Sequence, residues 1–380
     1  MRVSVICQSN PNLFPMFYDV ALALARHGGK LQFISKADPG QSGRGSPDIR
    51  WFPVKKVNGL ASKFPLMRSS YPKMLKDLIE FKPDIIVAEH EHLLPAVLYK
   101  FLTRSRQVTV AGYFIDYYTH TPGMRLVARW AAHLDAYVDV CHLRLGWRKA
   151  DWPQMKAETF IIRNAPRRQD SVAVEPHTGP TRVIYTGSRH AFGLMNKERF
   201  SRFVNRVCEH GIAVDWYLLG STDIRASDEM LAEAKALCGN ALFSVRPPVQ
   251  KAQLMQTLRT YDAGLFWAPL ADADPNDDFQ RRFLQSAASN KVGEYLSAGL
   301  VVARTNNPGL SYVSEEASAV FDPTDPLAGA DRLAATLSDR ATVERKRAAA
   351  LRLHLEELNF EAQSAPFIDF LLGRQGESPA

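Results

Sequence analysis

The sequence predicts an α/β protein built of two doubly wound domains. Three observations carry this. Short apolar runs alternate with helix-period segments along the chain, beginning with Val3–Cys7. The alternation is interrupted once by a Pro-rich, charged and weakly patterned stretch, residues 166–181 (PRRQDSVAVEPHTGPT). And 380 residues exceed what a single core usually supports. The expected division is an N-terminal domain over 1–165, a linker over 166–181 and a second domain over 182–357. A last amphipathic helix within 358–380 is expected to pack back toward the first domain.

In order, Val3–Cys7 reads as the first strand, Phe17–His27 as a helix ending at Gly28, and Leu31–Ser35 as the second strand. This βαβ opening implies a parallel sheet. The loop after the first strand reads Ser9-Asn10-Pro11-Asn12 and lacks GxGxxG, so no dinucleotide site is read there. Residues 38–48 are loop by composition. Residues 55–82 carry seven Lys and Arg, interleaved with Phe64, Leu66, Tyr71, Met74 and Leu78. They read either as a solvated helix face with a loop or as a basic, partly apolar surface for an anionic membrane.

Ile85–Ala88 is a buried-type strand ending in Glu89-His90-Glu91-His92, ahead of an apolar helix over 93–102. Val108–Phe114 is the next strand, ending near Asp116, Tyr117, Tyr118 and His120. Polar residues just past the carboxyl ends of parallel strands sit where open α/β sheets bind ligands. A metal site at the EHEH run is disfavoured, because adjacent positions project in different directions. A helix over 126–136 and apolar runs over 136–142 and 159–162 complete the first domain, which runs out through Arg163-Asn164-Ala165-Pro166.

The second series starts at Arg182–Tyr185, followed by Thr186-Gly187-Ser188-Arg189-His190 and a helix over 197–210. Strands are expected at 213–219, 242–245 and 263–268, with helices at 227–238 and 251–260 between them. The loop after the strand over 242–245 reads Arg246-Pro247-Pro248-Val249, and 272–278 is an acidic loop. The stretch Ser289–Asn307 (SNKVGEYLSAGLVVARTNN) is the most informative. Val292, Tyr295 and Leu296 fall on one helix face, Gly299 suits a helix end, and Leu300–Ala303 reads as a buried strand. Lys291 and Glu294 lie one turn apart near the start of that helix. Segments 312–320, 326–357 and 361–372 are expected to be helical.

The totals exclude several classes. No apolar run approaches the roughly 18 residues of a membrane span, and the start MRVSVICQSN is too short in its apolar part for a signal peptide. Cys7, Cys141, Cys208 and Cys238 are far apart, show no CxxC pairing, and suit a reduced cytoplasmic compartment without a metal framework. The net charge of +7 favours something anionic as partner. No nucleic-acid module is recognisable.

With these motifs in place, NKVGEYLSAGLVVARTN resembles the donor-site signature of GT-B glycosyltransferases, especially the family 4-like retaining enzymes. PDIIVAEHEHLLP, FIIRNAP, VIYTGSRH with Lys197, and the run LFSVRPPVQKAQLMQTLRTYDAGLFWAPL resemble other parts of that fold in the same order. The likeness spans most of the second domain and is looser in the first. It implies two Rossmann-like domains facing across a cleft, with a nucleotide-sugar donor, UDP- or GDP-linked, held by the second and an acceptor entering from the first.

Carried over by position, the resemblance makes Glu294 the ligand of the donor ribose. Arg189 and Lys197, beside Gly187 and Ser188, would neutralise the diphosphate, and the backbone from Arg246 to Val249 would frame the base. Asn290 and Lys291 would reach phosphates or ribose. Asp116 is the expected acid–base or sugar-positioning carboxylate, followed by Glu89, with His90 or His120 assisting. No divalent metal or other cofactor is required on this reading. The family's partner Glu, eight positions before Glu294, is replaced by Ser286.

The implied function is transfer of a hexose-like sugar to an acceptor hydroxyl, retaining configuration, on a surface polysaccharide, glycolipid or lipid-linked glycan. The protein would be cytoplasmic, and peripheral on the inner membrane face through residues 55–82. A nucleotide-sugar epimerase or hydrolase, or a non-catalytic nucleotide-sugar-binding partner, are the alternatives.

Overall fold

A computed structural model describes residues 1–7, 15–35, 49–53, 70–103, 107–115, 122–171, 179–188, 196–219, 232, 233, 235, 236, 238–247, 249 and 251–376. The chain divides into two compact units, Met1–Arg163 with Gln363–Ala380, and Asn164–Ala362.

The first unit is a seven-stranded parallel sheet in the order β3-β2-β1-β4-β5-β6-β7. Its strands are β1 (Arg2–Cys7), β2 (Lys30–Ser35), β3 (Ile49–Pro53), β4 (Ile85–Glu89), β5 (Thr109–Phe114), β6 (Ala136–Asp139) and β7 (Glu158–Ile161). β1, β4 and β5 are buried from end to end or nearly so, as expected of central strands with helices on both faces. Helices α1 (Met16–Ala25), α2 (Ser70–Phe81), α3 (Leu93–Leu102), α4 (Pro122–Trp130) and α5 (His142–Asp151) connect them. One core gathers Met74, Leu78, Ile86, Val97, Val110, Phe114, Tyr137 and Trp152.

α2 shows why the basic segment is amphipathic. Tyr71, Met74 and Leu78 are buried on the helical i, i+3, i+7 spacing, while Lys73 and Lys76 are exposed. Residues 54–69 of the same segment lie outside the described residues.

The second unit holds a six-stranded parallel sheet in the order β10-β9-β8-β11-β12-β13. Its strands are β8 (Arg182–Ser188), β9 (Ala213–Leu219), β10 (Phe243–Arg246), β11 (Ala263–Phe266), β12 (Val301–Thr305) and β13 (Ser318–Phe321). Its helices are α6 (Lys197–Glu209), α7 (Lys251–Leu258), α8 (Asp278–Ser286), α9 (Asn290–Ser297), α10 (Pro326–Ser338) and α11 (Arg340–Leu353). A further helix, α12 (Phe360–Gly376), follows a π-helical turn over His354–Leu358. One core joins α6 and α10 through Phe200, Phe203, Trp216, Phe321 and Leu333. The other joins α7, α9 and α11 through Leu254, Val292, Tyr295, Val302 and Ala350.

Three expectations are corrected. Residues 312–320 are not helical: Ser318–Phe321 pairs with β12 as an edge strand, Val302 opposite Ser318. The single helix expected over 326–357 is two, because Asp339 ends one and caps the next, its carboxylate accepting from the Ala341 amide at 3.2 Å. Residue 278 opens a helix rather than closing a loop, since Asp277 caps α8 through the Gln280 amide at 3.0 Å.

Candidate functional site

In each sheet the strand order turns back once, between β1 and β4 and between β8 and β11. Crevices at the carboxyl ends of such strands are where doubly wound sheets take ligands.

In the second unit the groups at that place are set by α9. Ser289 caps it, accepting from the Lys291 amide at 3.3 Å. Gly299, at φ 63°, closes it: Leu300 N–H donates to Tyr295 O at 2.9 Å and Gly299 N–H to Leu296 O at 3.0 Å. The buried face anchors the helix to the sheet. The Tyr295 ring lies on β11 where Gly264 leaves room; a Cβ there would stand 2.3 Å from Tyr295 Cγ. Its hydroxyl accepts from the Thr186 amide at 3.1 Å and donates to Leu265 O at 3.2 Å. Tyr295 therefore ties α9 to both strands of the switch point.

Glu294 is next to it and only 4% exposed. Lys291 stands one turn earlier, with its Nζ 4.9 Å from the centroid of Tyr185 in β8. Burial pushes its ammonium down to about 8, and Glu294 pulls it the other way. Lys291, Glu294 and the carboxyl end of β8 are thus brought together. That end carries Gly187 and Ser188; Gly187 packs against Trp216. Asn290 is the first residue of α9.

Lys197 opens α6 but is ion-paired with Glu233. The α6 amino terminus is also held from outside: Asp272 accepts from the Asn196 amide at 2.9 Å and pairs with Arg199. The Arg246 guanidinium turns back along the sheet to Asp215, Nε to Oδ1 2.7 Å. Arg182 and the Tyr261 hydroxyl bind the same carboxylate at 2.7 and 2.8 Å. Burial raises the Asp215 carboxyl, but these three hydrogen bonds hold it below its ordinary value. Val249 packs against the α7–α9 core. Arg189 lies outside the described residues.

Ser286, in the position of the family's partner Glu, is 1% exposed and its hydroxyl donates to Phe283 O at 2.9 Å. Its carbonyl lies against Gly309, where a Cβ would come within 2.0 Å.

In the first unit, Glu89 ends β4 fully buried and accepts from Cys7 Sγ at 3.4 Å. His90 follows at φ 48°, with Nε2 3.5 Å from Glu89 Oε1 and its ring against Phe114. Burial, then Arg148, His92 and Arg144, push its pKa down to about 3, so the ring is neutral at ordinary pH. Behind it Asp139 accepts from the Tyr137 hydroxyl at 2.9 Å; burial raises its carboxyl to about 6 against the pull of Arg144 and Arg148. Asp116 and His120 lie outside the described residues. An open groove of about 580 Å³, lined by Arg2, Ile79, Lys82, Tyr99 and Thr103, is on the opposite, amino-terminal side of this sheet.

Sequence reading missed Tyr295 with Thr186, Asp272 with α6, and Asn307, whose amide donates to Ala268 O and Leu284 O at 2.8 Å each. Each joins residues distant in sequence. The one local signal was the tyrosine following Glu294 on the apolar face of α9.

No protein-family model and no curated protein sequence matches the chain. Solved structures do. A glycosyltransferase from Rickettsia africae superposes with a TM-score of 0.72 at 10% identity, over 99% of both chains. The sucrose-phosphate synthase of Thermosynechococcus elongatus gives 0.68 at 14% over 100% of both. Anabaena HepE in complex with UDP and glucose gives 0.66 at 13%, over 98% of this chain and 100% of that one. The chain has the GT-B fold of two Rossmann-like units.

Proposed function

We propose that this chain is a glycosyltransferase that moves a sugar from a nucleotide-sugar donor to an acceptor hydroxyl. The observation that carries the reading is the pairing of Glu294 and Lys291 on the first turns of α9, beside the carboxyl end of β8. A buried carboxylate suits a ribose diol, to which it offers two acceptor oxygens. A cation and a helix amino terminus suit the phosphates, which gain negative charge as the sugar leaves. That the similar Anabaena HepE was solved with UDP and glucose supports this choice of donor.

The donor is a UDP- or GDP-sugar, with the backbone from Arg246 to Val249 framing the base. Arg189 and Lys291 provide cationic charge, Lys197 being paired with Glu233, so the reaction needs no divalent metal. Gly187 and Ser188 let the phosphates approach β8, and Asn290 lies at the helix opening. On the acceptor side Asp116 orients or deprotonates the hydroxyl. Glu89 and His90, both enclosed, support the carboxyl end of β4. Retention of configuration is favoured, with the leaving phosphate taking the acceptor proton.

The acceptor is a lipid-linked or surface glycan, reached from the membrane face through residues 55–82. Among the described residues no helix is long and apolar enough to cross a membrane. Liposome binding that falls with added salt would support that peripheral contact; binding insensitive to salt would count against it.

The decisive experiment follows nucleoside diphosphate release from UDP- and GDP-sugars with and without a lipid-linked glycan acceptor. Acceptor-dependent release supports transfer. Acceptor-independent release points to hydrolysis, sugar inversion without release to epimerisation, and binding without turnover to a non-catalytic partner.

A further inference from the structure

The amino termini of α6 and α9, both at the carboxyl edge of the second sheet, differ in charge. The α6 terminus is already compensated. Asp272 sits on it, bonded to the Asn196 amide and paired with Arg199, and Lys197 is paired with Glu233. A phosphate arriving there would meet a fixed carboxylate. The α9 terminus presents a cation instead. Lys291 stands over the Tyr185 ring, and the fully buried Tyr185 hydroxyl has no hydrogen-bond partner among the described residues.

We propose that Lys291 is the phosphate-facing cation of the donor site and that it takes up a proton as the diphosphate arrives, so that donor binding weakens in alkaline medium. This rests on the nucleotide-sugar reading above. Partial burial against the Tyr185 ring disfavours the ammonium form in the free protein, down to about 8. A diphosphate placed beside it favours that form and draws a proton from solvent. By reciprocity, whatever ligand raises proton affinity is itself bound more tightly when the proton is present.

The groups around Lys291 leave it as the one that titrates. Glu294 on its own helix acts on it and raises it. The Tyr185 phenol of β8 is pushed up by burial and stays protonated. β11 presents no ionisable side chain between Ala263 and Phe266. Arg304 of β12 donates to Val313 O and Arg347 of α11 to Gly299 O, the latter at the far end of α9. His354, which follows α11, is held neutral by burial, down to about 4.

Calorimetric titration with UDP and with GDP tests this, at pH 7 and pH 9, in two buffers of different ionisation enthalpy. With a group near 8, the wild type should take up about 0.9 proton at pH 9, little at pH 7, and bind about tenfold more weakly at pH 9. Lys291→Arg should bind with that uptake abolished and that pH dependence removed. Lys291→Gln should bind weakly at both pH values, also without uptake. Lys197→Ala should keep the wild-type proton count. Equal uptake in wild type and both Lys291 variants overturns the proposal and leaves the nucleotide reading standing. Loss of uptake in Lys197→Ala overturns it too. Failure of both nucleotides to bind the wild type at pH 7 overturns both readings.

Discussion

The hydroxyl of Tyr295 lies 2.8 Å from Oγ1 of Thr186, 109 residues earlier in the chain. Through that contact the helix carrying Glu294 and Lys291 is fixed to the strand that ends at Gly187 and Ser188. The position of the groups proposed to hold the donor thus depends on a phenol from the buried face of the same helix.

Tyr295→Phe keeps the ring on Gly264 and removes the hydroxyl. It leaves the buried Thr186 amide without its acceptor, at a cost of about 1–3 kcal/mol. For a unit of this size each kcal/mol lowers the melting midpoint by about 2–4 °C. Calorimetry should show the drop, and Gly264→Ala should cost more, since its Cβ would lie inside the ring contact. An unchanged midpoint for Tyr295→Phe would remove the anchoring role.

Glu294→Gln preserves shape but removes the carboxylate proposed to bind the ribose. Loss of charge-assisted hydrogen bonds of about 1.5–3 kcal/mol corresponds to about a 10–100-fold fall in kcat/KM. Steady-state kinetics on a folded variant would show it. Full turnover would take Glu294 out of the donor site.

Ser286→Glu restores the residue type that the resemblance places eight positions before Glu294, but into an enclosed site, where Ser286 is 1% exposed. Ser286 is bonded back to its own helix and backed by Gly309. An enclosed carboxylate without a partner costs several kcal/mol, on the order of 3–5. The variant should unfold at lower denaturant without gaining turnover. A stable, more active variant would show that this position faces the donor sugar.

His90→Asn probes the first unit through pH. The buried ring titrates near 3 when folded and near 6.5 when unfolded. Between those values the unfolded chain binds more protons, so stability is present above about 6.5 and is lost as pH falls through the window, by up to about 1.4 kcal/mol per pH unit. Asparagine tolerates the left-handed backbone at this position. Urea unfolding of the wild type should therefore weaken faster from pH 6.5 to 4.5 than that of His90→Asn, by about one proton. His354 adds its own slope equally to both proteins. Parallel curves would mean that His90 is charged in the folded state.

The central strands were legible because burial on both faces demands unbroken apolar runs, as in Ile85–Ala88 and Val301–Ala303. The edges were not. β3 reads Ile-Arg-Trp-Phe-Pro and β13 spans four residues after a helix-permissive run, so pairing with a neighbour decides both. At the site, Glu294 and Lys291 could be placed on a helix from local spacing alone. That Lys197 is spent on Glu233, and Arg246 on Asp215, could not, because both acids arrive from other parts of the chain.

The first unit is discontinuous in sequence: it ends at Arg163 and resumes at Gln363, where Phe367 and Phe370 stand 5.4 and 5.5 Å from Phe160 of β7. During synthesis the first-made sheet must therefore wait, its last strand lacking those rings, until the whole inserted unit has left the ribosome. The later-made unit has all its segments first. A chain stopped after Ala362 is expected to be nicked by protease in the first unit and spared in the second; equal resistance in both would show that the sheet completes itself without its terminal helix.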